Sequence, residues 1–173
     1  MEGDPVTVGS GGLDNAGFNL QALIIGSEGM LMVATEITVK LLPLPQHVEV
    51  MLAAFDSVET AGNAVNEIIA AGVIPGGLEM MDNNAICAAE DFAQAGYPRD
   101  AAAILLIEID GSSANVEEQL QITQQVLQNA GVASVKVARN AQERALFWKG
   151  RKNAFPAVGR ISPDYYCMDG TIP

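Results

Sequence analysis

The sequence predicts an α+β fold, a ferredoxin-like antiparallel sheet with helices on one face. Two segments of the chain repeat the order of apolar strand, short polar cap and amphipathic helix. Each helix is followed by Ala-Gly-Val, at 71–73 and again at 130–132. Tandem strand–helix–strand units are typical of the split βαβ arrangement. With 49 % hydrophobic and 17 % charged residues, the 173-residue chain has the composition of a folded protein.

The N-terminal part of the chain differs in composition from the rest. Residues 1–19 are rich in Gly, Asp, Asn and Ser, which is typical of loops. Residues 20–25 form a short apolar segment, and residues 33–41 alternate apolar and polar side chains as a half-buried strand does. Pro43 and Pro45 end this predicted strand. We therefore place the domain boundary within residues 42–46 and expect two domains, 1–45 and 46–173.

The first strand–helix unit begins directly after this boundary. Residues 48–55 predict a strand, and Asp56-Ser57 supply the N-cap of a helix. Apolar side chains keep helical spacing over residues 58–69, and Gly72 ends the helix.

The second unit repeats this pattern with a strand at 104–109, a cap at 110–113 and a helix at 116–127. The remaining elements of the sheet domain are two further strands and one small Ala-rich helix, at 76–80, 134–138 and 83–94 respectively.

The last part of the sequence predicts one more helix and one more strand. The helix covers residues 141–154, with Asn140 as its N-cap and Pro156 as its limit. Residues 159–164 have the composition of turns, and residues 165–172 predict a strand.

Charge is distributed unevenly along the chain. The formal net charge is −12, which argues against nucleic acid and anionic membrane surfaces as partners, because both require neutralisation of phosphates. Residues 136–160 nevertheless carry seven basic side chains against one acid, Glu143. The seven are Lys136, Arg139, Arg144, Lys149, Arg151, Lys152 and Arg160. This basic cluster is either an ordinary solvated helix face or an anion site.

Residue types used for metal binding and nucleophilic catalysis are sparse. Cys87 and Cys167 have neither metal-ligand spacing nor the density of a disulfide scaffold, which favours a reducing, cytoplasmic setting. The single histidine, His47, lies near the domain boundary and is assigned no role. We predict no metal site, no complete catalytic constellation and no transmembrane segment, because the apolar run at 20–25 is too short to cross a bilayer.

Gly26-Ser27-Glu28-Gly29 is the most suggestive local motif. Two glycines let a backbone approach a ligand closely and direct N–H groups at an anion or a polar ring edge. The same four residues also suit a simple turn at the entry to a strand.

Two stretches of the chain carry a family resemblance. The first, residues 14–45, includes the glycine turn and Leu41-Leu42-Pro43; the second includes Phe147-Trp148-Lys149-Gly150-Arg151-Lys152, Phe155-Pro156-Ala157 and Tyr166-Cys167-Met168-Asp169-Gly170-Thr171-Ile172-Pro173. Together they resemble the FAD-linked oxidases, in the branch of glycolate oxidase catalytic subunits and D-2-hydroxyacid (D-lactate-type) dehydrogenases. The resemblance implies that 1–45 closes an FAD-binding α+β domain and that 46–173 begins the C-terminal substrate, or cap, domain.

The resemblance also implies roles for particular residues. The FAD cofactor would be contacted, largely through backbone groups, by Gly26, Ser27, Glu28, Gly29, Met30, Leu31, Val33 and Ala34. Met32 departs from the family, which usually has a further glycine there, and its side chain would narrow the cofactor groove. The position that holds the substrate carboxylate corresponds to Arg151, in agreement with the bidentate chemistry of guanidinium. Lys152 either adds to the positive potential or is a solvated neighbour.

The family resemblance implies a parent enzyme that transfers a hydride from a small 2-hydroxy acid, glycolate or D-lactate, to FAD. Electrons would pass on to an acceptor such as a partner subunit, through which the protein would be peripheral to the membrane. The family's Gly-rich pyrophosphate loop and later His motif do not occur in the 173 residues. We therefore expect an internal fragment that by itself binds FAD weakly or not at all and is inactive.

A second hypothesis belongs to a different functional class. A ferredoxin-like module can serve as a non-catalytic ligand-binding or assembly domain, and exposed sheet edges favour pairing into homo-oligomers. Bound flavin would discriminate between the two hypotheses.

Overall fold

The structure is a computed structural model that describes residues 3–10 and 17–168, and it divides the chain into two units. The first unit comprises Met1–Pro43 and the second Leu44–Pro173. Of the strand predicted at 165–172, residues 169–172 lie outside the described part of the chain, and residues 165–168 adopt no regular secondary structure.

The first unit contains a short helix, α1 (Leu20–Ile24), whose N-cap Asn19 accepts a hydrogen bond from the Ala22 amide at 3.1 Å. The prediction of a half-buried strand at residues 33–41 is wrong, because these residues are exposed and form no strand. A strand needs a neighbour to pair its N–H and C=O groups. The described residues of the first unit contain no second strand that could supply this pairing.

The second unit is built on a four-stranded antiparallel sheet of order β2–β3–β1–β4, the order of a ferredoxin-like fold. Its strands are β1 (His47–Phe55), β2 (Gly77–Asp82), β3 (Ala103–Gly111) and β4 (Ser134–Val137). The central pair aligns Met51 with Ile107. The predicted α+β class and antiparallel sheet are confirmed.

One face of the sheet is covered by α2 (Val58–Ala70) and α4 (Ser113–Asn129), and we call it the α2/α4 face. The side chains of Ser57 and Ser112 cap these helices within the predicted cap segments, and α4 begins at Ser113, three residues before the predicted helix. Alternate residues of the central strands, such as Met51 and Ile107, pack against these helices.

The opposite face is covered by α3 (Asn83–Ala93) and α5 (Ala141–Lys152), and we call it the α3/α5 face. The prediction of helices on one face is therefore correct for α2 and α4, but α3 and α5 cover the other face as well. The central strands are apolar on both sides, so each face must be shielded from water. Leu52 and Leu106 point to this side and pack in a cluster with Ile86 and Phe147.

The chain continues from α5, which ends at Lys152 and not at the predicted residue 154, into α6 (Ala154–Ile161). The sequence predicts turns at 159–164, but residues 159–161 belong to α6. Pro156 lies in the first turn of this helix. Proline is tolerated there because first-turn N–H groups have no partner within the helix. In the described part of the chain, no helix is both long and apolar enough to cross a membrane.

Candidate functional site

The predicted glycine turn is present in the first unit. Gly26, Glu28 and Gly29 have φ angles of 83°, 50° and 77°. The Met30 amide donates to the Ser27 carbonyl at 2.9 Å and closes the turn. Among the described residues other than the adjoining ones, no atom lies within 4 Å of a Cβ built at either glycine, so the backbone is open to a close-approaching group.

The side chains that follow the turn face solvent. Met30 and Val33 are largely exposed, and Met32 is 40 % exposed. The segment thus has accessible backbone groups, although it lacks the strand that the sequence predicts after the turn.

Arg151 occupies the last turn of α5 in the second unit. Its Nε and Nη2 atoms both lie 3.0 Å from Oε2 of Glu79 on β2. This contact uses the side edge of the guanidinium group. Nη1 and the second hydrogen of Nη2 form another edge, which can bind a carboxylate with two parallel hydrogen bonds.

Arg151 also lines an open groove with a volume of about 190 Å³. The other lining residues are Ala154, Phe155, Val158, Tyr165, Tyr166 and Cys167. The rings of Phe155 and Tyr165 stack with their centroids 6.4 Å apart. A mostly apolar groove with one cationic group at its wall suits a small organic anion.

Helix α5 is held on the sheet by a second acidic residue. Trp148 Nε1 donates to Oε2 of Glu108 on β3 at 2.7 Å. A Cβ on Gly77 of β2 would lie 3.0 Å from the Trp148 ring, so the glycine leaves the indole the room that it occupies. Glu108 therefore anchors the helix at Trp148, while Glu79 contacts Arg151 itself.

Tyr97 supports the same helix from the segment that follows α3. Its hydroxyl donates to the carbonyl of Phe147, and burial raises the pKa of Tyr97 to about 12. A Cβ on Gly150 would lie 2.5 Å from the Tyr97 ring, so the helix approaches the ring this closely only because residue 150 is glycine.

The basic cluster does not converge on one anion site. Lys149 donates to the Ala93 carbonyl at 3.3 Å, and Arg160 lies over the Phe92 ring at 4.3 Å. Lys152 is exposed. Among the basic side chains of residues 136–160, Arg151 is the one that lines the groove described above.

Glu143 neutralises two members of the cluster. Its carboxylate lies 3.1 Å from Arg139 Nε and 2.6 Å from Lys136 Nζ. Hydrogen bonds from Arg139 and then from Lys136 lower the pKa of Glu143 to about 2. This group links β4 to the start of α5.

The sequence assigns no role to the single histidine or to the two cysteines. His47 Nε2 lies 3.1 Å from Glu49 Oε1, and Cys87 and Cys167 are free thiols. Within residues 3–10 and 17–168, no three metal-ligating side chains come together.

Glu79, Tyr97 and Glu108 were not identified from the sequence. Their contacts with α5 join residues 72, 50 and 40 positions apart, and no local pattern reports such distances. The signal in the sequence that could have identified Glu79 is its charge within a predominantly apolar segment, Leu78-Glu79-Met80-Met81.

Comparison with known proteins places the second unit in a family. The family described as FAD linked oxidases, C-terminal domain, matches residues 44–173. The chain is 62 % identical over its whole length to the glycolate oxidase subunit GlcD of Escherichia coli K12 and 36 % identical over 92 % of its length to GlcD of Bacillus subtilis. It is 33 % identical over 88 % of its length to a mitochondrial D-lactate dehydrogenase [cytochrome] of Arabidopsis thaliana.

These relatives are longer than the chain, which covers 35 %, 34 % and 27 % of their respective lengths. Among solved structures, an alkyldihydroxyacetonephosphate synthase matches 85 % of the chain, with a TM-score of 0.60 and 20 % identity, over 30 % of its own length. This last likeness concerns the fold alone. The family match spans most of the chain, and we conclude that the chain belongs to the FAD-linked oxidases, with residues 44–173 in their C-terminal domain.

Proposed function

We propose that this chain acts as part of a longer flavoprotein that oxidises a small 2-hydroxy acid, of the glycolate or D-lactate type, to the corresponding 2-oxo acid. The observation that carries the proposal is Arg151, which lines an apolar groove and whose second guanidinium edge has no partner among the residues that the structure describes. The identities with glycolate oxidase subunits and a D-lactate dehydrogenase support this substrate class. FAD, when bound, would accept the hydride from the alpha carbon.

Arg151 would hold the substrate carboxylate. A carboxylate that accepts two parallel N–H bonds from guanidinium is fixed in orientation as well as in position. The hydroxyl-bearing carbon of a bound 2-hydroxy acid is then held in one direction relative to the groove, which is the alignment that a hydride transfer requires.

Residues Gly26 to Ala34, apart from Met32, would contact the cofactor. Their fit is supported by the open backbone at Gly26 and Gly29 and by the exposed residues that follow. We propose that residues 1–45 close an FAD-binding domain and that 46–173 belong to the substrate domain. In this arrangement the 173-residue chain alone binds FAD weakly or not at all and is inactive.

Partner subunits are part of the same proposal. The bacterial relatives are named as subunits of glycolate oxidase. We propose that electrons leave the flavoprotein for such a subunit or another acceptor, and that the protein is cytoplasmic and attaches to the membrane only through its partners.

The first test is spectroscopic. The full-length protein that carries this chain should be purified and its visible absorbance recorded, then glycolate or D-lactate added without oxygen. We expect a flavin spectrum that bleaches on addition of substrate. A colourless protein would contradict the proposal and favour the non-catalytic ligand-binding or assembly module.

The second test concerns the carboxylate clamp. Arg151→Lys in the full-length protein should raise the KM for the 2-hydroxy acid by about ten-fold or more, because lysine cannot reproduce the bidentate contact. Arg144→Lys makes the same chemical change elsewhere on α5 and is the matched control, with a KM within about two-fold of wild type. Unchanged kinetics in Arg151→Lys would disprove the role of Arg151.

A further inference from the structure

We propose that Glu79 is a positioning residue for substrate binding, which it serves by orienting the guanidinium group of Arg151. The inference rests on the proposed function, in which Arg151 binds the substrate carboxylate. It adds a residue on a different element, β2, that makes no contact with substrate in this scheme.

The geometry of the contact is the first argument. Oε2 of Glu79 lies 3.0 Å from both Nε and Nη2 of Arg151, so it engages the side edge of the guanidinium group. A planar group held along one edge cannot rotate freely about its last torsion angles, and its other edge is therefore aimed in one direction.

The position of Glu79 in the sheet is the second argument. Gly77, Glu79 and Met81 alternate on β2, and Met81 belongs to the apolar cluster of the α3/α5 face. Glu79 thus stands on the face that carries α5, on a strand paired with β3 along its length. A carboxylate on a sheet strand is a more rigid support than one on a loop.

Glu79 differs from Glu108 in the side chain of α5 that it contacts. Both carboxylates come from the sheet and reach α5, but Glu108 accepts from the indole of Trp148 at 2.7 Å. The helix therefore has an anchor that is separate from the contact at Arg151. Because the anchor exists, the contact between Glu79 and Arg151 is not required simply to attach α5 to the sheet.

The two acidic residues allow a matched experiment in the full-length flavoprotein. Glu79→Gln removes the charge while keeping the side-chain length, and Glu108→Gln makes the same change at the anchor. We expect Glu79→Gln to raise the KM for glycolate by about three- to five-fold with kcat changed by less than about two-fold, the size expected for a half-exposed ion pair that orients a binding group. Glu108→Gln should leave KM within about two-fold of wild type.

A binding measurement provides a readout other than turnover. The dissociation constant of acetate, a carboxylate that lacks the hydroxyl to be oxidised, should rise by the same factor in Glu79→Gln when it is measured by calorimetry. In the background of Arg151→Lys, Glu79→Gln should have no further effect on the KM for glycolate or on the dissociation constant of acetate, because the guanidinium group that Glu79 orients is absent.

The outcomes separate this inference from the proposed function. If Arg151→Lys raises KM and Glu79→Gln does not, the role of Glu79 is disproved while the carboxylate clamp stands. Equal increases of KM in Glu79→Gln and Glu108→Gln would also disprove the role of Glu79, because both substitutions would then act through the attachment of α5 to the sheet. If Arg151→Lys itself leaves KM unchanged, the proposed role of Arg151 is disproved, and the role of Glu79 that rests on it is disproved as well.

Discussion

The two faces of the sheet are built from the same strands but differ in the contacts that their polar side chains make. On the α2/α4 face, the buried hydroxyl of Thr123 donates to the carbonyl of Gln119, in its own helix, at 2.7 Å. On the α3/α5 face, Glu79 and Glu108 connect the sheet to α5 across long sequence separations. The α2/α4 face is therefore an apolar core that stabilises the domain, whereas on the α3/α5 face Glu108 attaches α5 to the sheet and Glu79 contacts Arg151 of the candidate site.

The largest expected effect tests the core role of the α2/α4 face. Ile68 is fully buried in α2, and Ile68→Ala should lower the free energy of unfolding by about 2–5 kcal/mol because it removes apolar contacts and leaves a cavity. Urea denaturation of the 173-residue chain measures this change. Ile69→Ala, at a half-exposed neighbouring position, is the control and should cost less than about 1 kcal/mol. Equal losses would show that α2 does not bury the face assigned to it.

A smaller loss of stability is expected from overpacking on the α3/α5 face. The new methyl group in Gly150→Ala would lie 2.5 Å from the Tyr97 ring, and the free energy of unfolding should fall by about 1–3 kcal/mol. Because Arg151 is the next residue, we also expect a raised KM in the full-length protein. Stability equal to wild type in urea denaturation would contradict the close approach of Tyr97 to α5.

The contact of Glu143 with Lys136 and Arg139 makes the same face sensitive to acid. The pKa of Glu143 is lowered from its ordinary 4.5 to about 2. Its contribution to stability is therefore complete above the unfolded value of 4.5 and is lost as the pH falls towards 2. Denaturant titrations between these pH values should show a smaller pH-dependent loss in Glu143→Gln than in wild type. Parallel curves for the two proteins would disprove the assignment.

The smallest expected effect has the opposite sign. Gly62 lies within α2, and outside the backbone of its own helix a Cβ added there meets no atom of the described residues within 4 Å. Gly62→Ala should raise the free energy of unfolding by about 0.5–1 kcal/mol, because alanine has the higher helix propensity. Thermal unfolding compares this variant with Gly150→Ala, the same substitution on the opposite face. A loss of stability in Gly62→Ala would contradict the open environment of α2 at this position.

The sequence predicted the elements from β1 to α5 well, because their signals are local. Ser57, Ser112 and Asn140 cap their helices as expected from their position before apolar residues of helical spacing. The first unit was predicted less well. Residues 33–41 alternate as a strand does, but alternation describes which faces side chains occupy and not whether a neighbouring strand is present.

The candidate site was predicted in part. Arg151 stood out because it belongs to a basic cluster in an acidic chain and resembles a family position, and its role remains a prediction. Arg160 and Lys149 belong to the same cluster, yet the structure places them against Phe92 and the Ala93 carbonyl. The cluster of basic residues in the sequence therefore indicated the helical region of the candidate site. Only the contacts of each basic side chain in the structure distinguished Arg151 from Lys149 and Arg160.

The sequence by itself determined the order of strands and helices from β1 to α5, since apolar spacing, caps and glycine stops act over a few residues. Only the tertiary structure decided that helices cover both faces of the sheet and that Glu79 meets Arg151 across 72 positions. The physical reason is that such contacts depend on strand pairing and helix packing, which bring together residues whose local sequences carry no information about each other.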